Sequence, residues 1–315
     1  MTEKNIKNHG EQKRTKKIGI IPTQKTPQQR GMTLLELMVG MAIGLLVVAV
    51  AMGALMVSRG ISGTVSDASD IQQQAAYAMR VIGTQLRQAG SLRLNLDPAS
   101  AAAAAGASDI HMIEVAFETK APATGTAKAF DPAEDTISGG PKNITVGYRR
   151  YQEPVSTASA PQSLLRNCLG GPAENSSDQR FESIFAFNAS ANTLTCSGND
   201  LPAQPIVQNV ANFQLRYFLQ DNSSSTDGSR IRMVTEVTPE NRRMIQAVEV
   251  CLVLYGSEPI DMPTDSPNTT SYIDCATDAA GTPSLVNMAA LSGSRARRMH
   301  LVFRNVFQLR SQGLI

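Results

Sequence analysis

One carboxylate in an apolar environment is the first side chain in this sequence that calls for an explanation. Glu36 is the single ionisable residue in a run from Met32 to Val57, which is 26 residues long. Within a membrane such a charge costs a few kcal/mol, so it marks a function or has a partner. A plain interpretation places Glu36 at a helix N-terminus, where the helix dipole favours an anion. The sharper interpretation is that another subunit supplies the partner charge.

The four cysteines favour disulfide chemistry rather than metal binding. Their number is even, and no C-x-x-C pair is present. An oxidising compartment outside the cytoplasm would favour two disulfides. Of the three possible pairings, we expect the one in which each bridge closes a loop of under 30 residues, Cys168–Cys196 and Cys251–Cys275. Buried free thiols are the alternative.

The sequence contains no motif that predicts catalysis or a cofactor. It lacks H-E-x-x-H, a Walker A loop and a G-x-G-x-x-G fingerprint. Beyond residue 31 the histidines are His111 and His300, which are far apart. We therefore predict no catalytic residue, no metal site and no cofactor. Residues 221–228 carry oxygens that suit calcium, but an EF-hand loop ends in a glutamate that is missing here, which favours a hairpin turn ending in Asp-Gly.

Hydrophobic periodicity defines the element that must position Glu36. The run from Met32 to Val57 is long enough to span a bilayer as a helix, and no small-residue cleavage site follows it, which argues against a secretory signal peptide. Beyond Val57 the helical period persists while polar residues appear, so one helix is predicted from Met32 to about Ala89. The apolar stripe of its second half comprises Ile61, Val65, Ala68, Ile71, Ala75, Met79, Ile82 and Leu86.

Charge is distributed unevenly along the chain. Residues 1–31 carry eight Lys/Arg and two acidic residues, which leaves 21 Lys/Arg and 25 Asp/Glu for the remainder. By the positive-inside tendency, the basic segment stays in the cytoplasm and the rest is translocated. A nucleic-acid-binding role for the basic tail is disfavoured, because the tail ends at an apolar span.

From residue 110 onward the pattern becomes that of β-strands. The segment 245–255 is apolar on nearly both faces and should form a central strand. Between the strands, loops are predicted over 154–162, 170–179, 221–229 and 256–284. The predicted strands cover 110–117, 143–151, 213–219, 245–255 and 299–310.

Residues 30–36, Arg-Gly-Met-Thr-Leu-Leu-Glu, together with the apolar run, resemble the cleavage and methylation site of type IV prepilins. In that family a membrane peptidase cuts after the glycine, the new first residue is N-methylated, and a glutamate in the first turns of the helix guides assembly. The resemblance implies a cut between Gly31 and Met32, N-methylation of Met32 and an assembly role for Glu36. The family usually has phenylalanine at the position of Met32.

Further local patterns sharpen the resemblance to the PilW type of minor pilin. They cover 72–90, then 164–170 with 192–196 and 207–217, and finally 297–305. The resemblance implies an α+β, type IV pilin-like fold, in which a long N-terminal helix packs on an antiparallel β-sheet domain. Its parts would be a removable leader over 1–31, a transmembrane half-helix over 32–57, an amphipathic half-helix over 58–90 and a β-rich head over 91–315.

The resemblance implies a role in assembly rather than catalysis. A minor pilin of this kind takes part in initiating type IV pili, at or near the pilus tip, and supports adhesion and twitching motility. Its expected partners are prepilin peptidase, other minor pilins, the major pilin, the inner-membrane assembly platform and a large tip adhesin. It would span the bacterial inner membrane once, with its head in the periplasm, and later lie in the pilus at the cell surface. Two alternatives stay open: the J-like pseudopilin of type II secretion, and a membrane-anchored periplasmic binding domain or enzyme.

Overall fold

The computed structural model describes residues 31–89, 120–152, 154–221, 228–262, 270–277 and 282–309, and the backbone of 93–94 and 115–116. The chain divides into two compact units, Met1–Met56 and Val57–Ile315. The helix α1 runs from Leu34 to Gln88, close to the predicted bounds. In the first unit its side chains are apolar, apart from Glu36, and all are exposed. Within the described residues, α1 is the one helix whose length and composition would allow it to cross a membrane.

In the second unit, α1 buries one face against β-sheets. The prediction that Ile61 and Val65 continue this buried face is wrong, because they are 61% and 65% exposed. The first buried residue of the helix is Asp67, so cover by the sheets begins only there. The apolar residues buried beyond it are Ile71, Ala75, Ala78, Ile82 and Leu86.

The first large sheet is antiparallel and is preceded by two short strands and a short helix. The short strands are β1, Arg93–Leu94, and β2, Val115–Ala116, which pair antiparallel. The rest of the predicted strand 110–117 lies outside the described residues. The helix α2 is Pro132–Asp135. The sheet has the order β3-β4-β5-β6-β7, with strands Ile137–Gly139, Asn143–Arg149, Arg180–Asn188, Thr193–Gly198 and Leu201–Val207.

The second large sheet is antiparallel and has the order β13-β10-β8-β9. As predicted, β10 is a central strand, pairing with β13 on one side and β8 on the other. The remaining two strands, β11 and β12, form a separate hairpin. The six strands are β8 Val210–Asp221, β9 Arg230–Val234, β10 Ile245–Pro259, β11 Ser271–Thr277, β12 Pro283–Asn287 and β13 Arg298–Gln308.

The hairpin corrects the prediction of one long loop over 256–284, since β11 lies inside it. The hairpin covers part of the outer face of the four-stranded sheet, meaning the face away from α1. A small apolar cluster forms there between hairpin and sheet, and the disulfide Cys251–Cys275 joins β10 to β11. Periodicity does not predict this hairpin, because one disulfide and side-chain contacts with the sheet hold it in place rather than a long alternating run of apolar residues.

A single large core lies between α1 and the two large sheets. The inner face of β10 contributes Val248, Val250, Leu252 and Leu254, and α1 contributes its buried stripe. Gly83 of α1 lets the ring of Phe307 pack directly on the helix, because a Cβ there would collide with the ring. Burial of apolar surface of this kind is the main stabilising contribution to the fold.

Asp67 attaches α1 to the end of β10. Its carboxylate accepts hydrogen bonds from Ser257 Oγ at 2.7 Å and from the backbone N of Glu258 at 2.8 Å. Gly256 leaves the necessary space, because a Cβ there would collide with the carboxylate. Burial by itself raises the pKa of Asp67, but these hydrogen bonds and the charge of Arg298 outweigh it and hold the pKa below its ordinary value.

His300 of β13 packs against the hairpin β11–β12. Its ring stacks on Tyr272 with centroids 4.9 Å apart and lies 5.7 Å from Tyr255. Its Nδ1 lies 2.8 Å from the carbonyl oxygen of Arg298, and Arg295 Nε donates towards its Nε2 at 3.4 Å. Since a guanidinium can only donate, Nε2 accepts and Nδ1 carries the proton, which makes the ring neutral.

We expect Asp67→Asn to lower the free energy of unfolding at pH 7 by about 1–2 kcal/mol, because it removes a hydrogen-bonded charge. The folded-state pKa is lowered, so the stabilisation is present above the ordinary pKa and is lost as the pH falls through the lowered value. Denaturant titrations of the full chain in detergent, followed by near-ultraviolet circular dichroism, will measure both effects. Asp70→Asn, at an exposed position of the same helix, is the control. Equal losses in the two variants would contradict this role of Asp67.

A second prediction concerns acid sensitivity of the hairpin. Burial and, to a smaller extent, the charge of Arg295 lower the pKa of His300 to about 4, despite opposing contributions from the Arg298 carbonyl and Asp274. The stabilisation is therefore complete above the ordinary pKa and is lost as the pH falls towards 4. We expect roughly 2–3 kcal/mol of this pH dependence to disappear in His300→Phe. Denaturant titrations at several pH values will test it, and an unchanged pH slope in the variant would refute it.

Candidate assembly site

The start of α1 is built by a reciprocal pair of side chains, Thr33 and Glu36. Thr33 Oγ1 accepts a hydrogen bond from the backbone N of Glu36 at 3.2 Å. In return, Glu36 Oε2 accepts from the backbone N and the Oγ1 of Thr33, both at 3.1 Å. This is a capping box, which satisfies backbone donors that a helix start leaves without partners. It explains why the helix begins at Leu34. The Thr-x-x-Glu spacing is the sequence signal of such a cap, although no cap was predicted from it.

Gly31 and Met32 lie immediately before the cap, outside the helix, and both are exposed. Met32 is 71% exposed, and a Cβ on Gly31 would meet no atom within 4 Å. The bond between them is therefore not protected by helical hydrogen bonds. The structure thus brings the three residues predicted for cleavage, methylation and assembly into one exposed segment.

Glu36 keeps one oxygen available for a group outside this chain. Its Oε2 serves the cap, whereas Oε1 makes no hydrogen bond or ion pair to any residue that the structure describes. Capping and an intermolecular ion pair can therefore coexist on the same carboxylate. The interpretation of Glu36 as an anion at a helix N-terminus is therefore compatible with an ion pair to another subunit.

Both predicted disulfides are confirmed. Cys168–Cys196 joins Cα atoms 6.5 Å apart with a sequence separation of 28, and Cys251–Cys275 joins Cα atoms 5.7 Å apart with a separation of 24. The first ties the segment before β5 to β6, and the second ties the hairpin to β10. Closing loops of this size contributes about 3 kcal/mol each in the chain-entropy model.

A buried polar contact that the sequence analysis missed anchors α1 on the five-stranded sheet. Gln85 Oε1 accepts hydrogen bonds from Ser183 Oγ at 2.9 Å and Tyr148 Oη at 3.2 Å, while its Nε2 donates to the carbonyl of Arg166 at 3.2 Å. The one available signal was a glutamine beside Leu86 within an apolar stripe. Satisfied polar groups in a core favour one packing arrangement, because a shifted arrangement leaves them buried without partners.

The sequence suggested further candidates for chemistry, which are a metal site at residues 221–228 and the histidines. In the described ranges, no group of three or more His, Cys, Asp or Glu side chains is arranged to hold a metal ion. Residues 222–227 of the calcium alternative lie outside the described residues, as does His111. The flanking Asp221 and Arg230 are antiparallel partners, as the predicted hairpin requires.

Two protein-family models match the chain. The prokaryotic N-terminal methylation motif matches residues 26–52, and the type IV pilus-assembly protein W family matches residues 186–311. These matches support a type IV pilin of the PilW family. The first contains Gly31, Met32 and Glu36, and the second extends from β5 to the end of β13. The methylation motif and the apolar helix fit a membrane-anchored pilin. Domains of pilin families have structural roles in pili.

A solved structure with a detectable likeness is the type IV-like pilin TTHA1219 from Thermus thermophilus. It is 10% identical, and the match covers 55% of this chain and 81% of that chain with a TM-score of 0.27. A TM-score of 0.27 does not establish a shared fold, so the fold of this chain is defined by its own strand pairing and packing. No curated protein matches the chain. The PilW-family assignment therefore depends on the two family models.

Proposed function

We propose that this PilW-family protein is a minor pilin that takes part in initiating type IV pili at or near the pilus tip. The observation that carries the proposal is the segment Gly31–Glu36, where an accessible Gly-Met bond precedes a capped apolar helix. The second oxygen of its one carboxylate, Glu36 Oε1, has no partner among the described residues. The methylation-motif match over residues 26–52 supports it.

The first step of the proposed mechanism is processing. Prepilin peptidase hydrolyses the bond between Gly31 and Met32, which leaves a carboxylate on Gly31 and an amine on Met32. N-methylation of that amine retains its positive charge, because a secondary amine is still protonated at neutral pH. The basic leader is removed with the cut, so the mature chain begins at Met32, one residue before the cap residue Thr33.

The second step is docking of the helix among neighbouring helices. In a low-dielectric bundle, the Glu36 carboxylate pairs with the terminal ammonium of an adjacent subunit through Oε1, while Oε2 continues to cap α1. An unpaired charge in such surroundings is strongly destabilising, so only the register that pairs the charges is accepted. The exposed apolar side chains of residues 32–57 supply the packing surface, in the membrane before assembly and between helices afterwards.

Charge and disulfides support the proposed location. The eight basic residues within 1–31 favour retention of the leader in the cytoplasm and export of the head. Both disulfides then lie in the periplasm, where such bonds persist. The proposed partners are other minor pilins, the major pilin, the assembly platform and a tip adhesin, through which the protein would support adhesion and twitching motility.

The J-like pseudopilin of type II secretion is the second candidate, because the same segment would serve it equally. The neighbouring genes discriminate the two, since they encode either other pilus minor pilins or secretion components. A membrane anchor without an assembly role is the third candidate, and it requires neither a cut after Gly31 nor a charge at position 36.

Two matched variants separate the charge of Glu36 from its capping role. Glu36→Gln retains the capping box, because glutamine caps as glutamate does, but it removes the charge. Thr33→Ala removes the cap at a cost of about 1 kcal/mol and retains the charge. We expect Glu36→Gln to insert and be cleaved yet to fail in co-purification with the host's other minor pilins, as Glu36→Ala should. Thr33→Ala should still co-purify.

The cleavage state and the co-purified minor pilins are both read from detergent-solubilised membranes. If Glu36→Gln co-purifies as well as the unmodified protein does, the charge has no role in assembly. If Thr33→Ala fails while Glu36→Gln co-purifies, capping alone accounts for Glu36.

A further inference from the structure

The carbonyl group of Gly31 belongs to the bond whose cleavage is proposed above, and it lies just outside the hydrogen-bonded part of α1. The first backbone hydrogen bond of the helix joins the backbone N of Leu37 to the carbonyl oxygen of Thr33 at 3.1 Å. A helix that began two residues earlier would engage the Gly31 carbonyl through the backbone N of Leu35. The position of the helix start therefore decides whether this carbonyl is open to attack.

The side chain of Thr33 replaces an acceptor that the preceding helical turn would otherwise supply. In an uninterrupted helix, the backbone N of Glu36 would donate to the carbonyl oxygen of Met32, four residues earlier. Here it donates to Thr33 Oγ1 at 3.2 Å, and Glu36 Oε2 accepts in return from the backbone N of Thr33 at 3.1 Å. The cap thus satisfies two donors without drawing Gly31 or Met32 into a helical turn.

Loss of this cap would extend the helix rather than shorten it. The residues that follow the cap are apolar and exposed, so they belong in an apolar environment, where a backbone donor without an acceptor is costly. Unwinding of the helix towards Leu37 would leave more of these donors without acceptors. Extension in the other direction would supply them with the carbonyl oxygens of residues 30–32.

The sequence before the proposed cut favours such an extension. Residues 28–30, Gln-Gln-Arg, are good helix formers, and among residues 28–32 only Gly31 disfavours a helix. Residues 26–29, Thr-Pro-Gln-Gln, have the pattern of another helix start, with proline directly after the threonine and glutamine three residues after it. A helix from that earlier start would enclose the bond between Gly31 and Met32.

We propose that Thr33 is a positioning residue for cleavage, because its cap makes α1 start after the scissile bond and presents that bond to prepilin peptidase outside the helix. The inference rests on the proposed function. In the reaction, water adds to the carbonyl carbon of Gly31 and the C–N bond to Met32 breaks, which leaves a carboxylate and an amine. Without the cap, only the fraction of chains in which this segment is unwound binds the peptidase, so the apparent affinity falls with that fraction.

Initial rates of cleavage test the proposal, with the full chain in detergent micelles as the substrate of purified prepilin peptidase. Electrophoresis follows the loss of residues 1–31. We expect Thr33→Val, which keeps the side-chain shape without the oxygen, to raise KM about threefold to tenfold and to leave kcat unchanged, because a cap of ordinary strength changes a population by about that factor. Long incubation still completes the cut, which is compatible with co-purification of Thr33→Ala.

The control is Thr64→Val, the same substitution farther along α1. Thr64 Oγ1 donates to the carbonyl oxygen of Ile61 at 2.9 Å and takes no part in the cap. This variant should leave both KM and kcat unchanged.

Two further variants separate the helix start from recognition of the threonine side chain. Thr33→Asn supplies a different capping oxygen, and Thr33→Gly supplies none but is accepted at a helix start and disfavours continuation of the helix. We expect both to keep KM within about twofold of the unmodified chain. A peptidase that recognised the threonine itself would lose affinity for the valine, asparagine and glycine variants alike.

The conformation at the bond is measurable without the peptidase. The sequence has two Gly-Met pairs, Gly31–Met32 and Gly40–Met41. Labelling glycine carbonyls with ¹³C and methionine nitrogens with ¹⁵N therefore gives two correlated NMR signals in the full chain. Gly40 lies within α1, so its carbonyl shift is the helical reference. We expect the Gly31 carbonyl shift to differ from this reference and to move towards it in Thr33→Val.

Three results would overturn the proposal. These are an unchanged KM in Thr33→Val, an equal rise of KM in the valine, asparagine and glycine variants, and a Gly31 signal that does not move in Thr33→Val. Failure of the proposed function looks different, because then the unmodified chain is not cut after Gly31 at all. Cleavage that is insensitive to residue 33 rejects only the role of Thr33.

Discussion

Burial of one face of α1 is the constraint on which the second unit depends. The helix residues from Ile71 to Leu86 share a core with the inner faces of both large sheets, so each sheet is completed by the helix. Two buried polar residues, Asp67 and Gln85, lie near the ends of this stretch and are hydrogen-bonded to different parts of the head. Sliding or rotating the helix would bury these groups without partners, which is more costly than losing the bonds in water. Apolar burial thus supplies the stability, and the polar contacts fix the position of the helix.

The same helix meets a different requirement in the first unit. Its side chains there are exposed and apolar, so they need lipid or other helices around them. An α-helix is suited to that environment because it satisfies its own backbone hydrogen bonds. Its first turn is the exception, and the pair Thr33–Glu36 provides the missing acceptors. Glu36 therefore has a structural reason to be present that does not exclude an intermolecular one.

The elements that the sequence predicted well are those with long, regular hydrophobic patterns. The helix α1 and the strands β4, β8, β10 and β13 belong to this group. Both disulfides were predicted on other grounds, from the number of cysteines and the length of the loops that they close. The strand β5 was not predicted, because both of its faces are buried and it includes the polar residues Glu182 and Ser183. Their side chains are hydrogen-bonded to partners distant in sequence. Periodicity also could not show where cover by the sheets begins, so Ile61 and Val65 were placed on the buried face in error.

Within the candidate site, the sequence predicted residues for each role but not their local geometry. Gly31, Met32 and Glu36 follow from a short motif, because the segment is contiguous and needs no tertiary contact. The capping role of Thr33 was also readable from local spacing, whereas Gln85 was not, since its partners Ser183 and Tyr148 come from β5 and β4. The place of β9 at the end of the four-stranded sheet likewise depends on strand order, which no local pattern reveals.

The central claim is that this chain is processed as a prepilin, and the mass of its N-terminal peptide tests that claim most directly. The protein would be recovered from membranes, digested and analysed by mass spectrometry. The account predicts a peptide that begins at Met32 and carries one N-methyl group. A peptide that includes residues 1–31, or one that begins at another residue, would contradict it and would leave Glu36 as the cap of a simple membrane anchor.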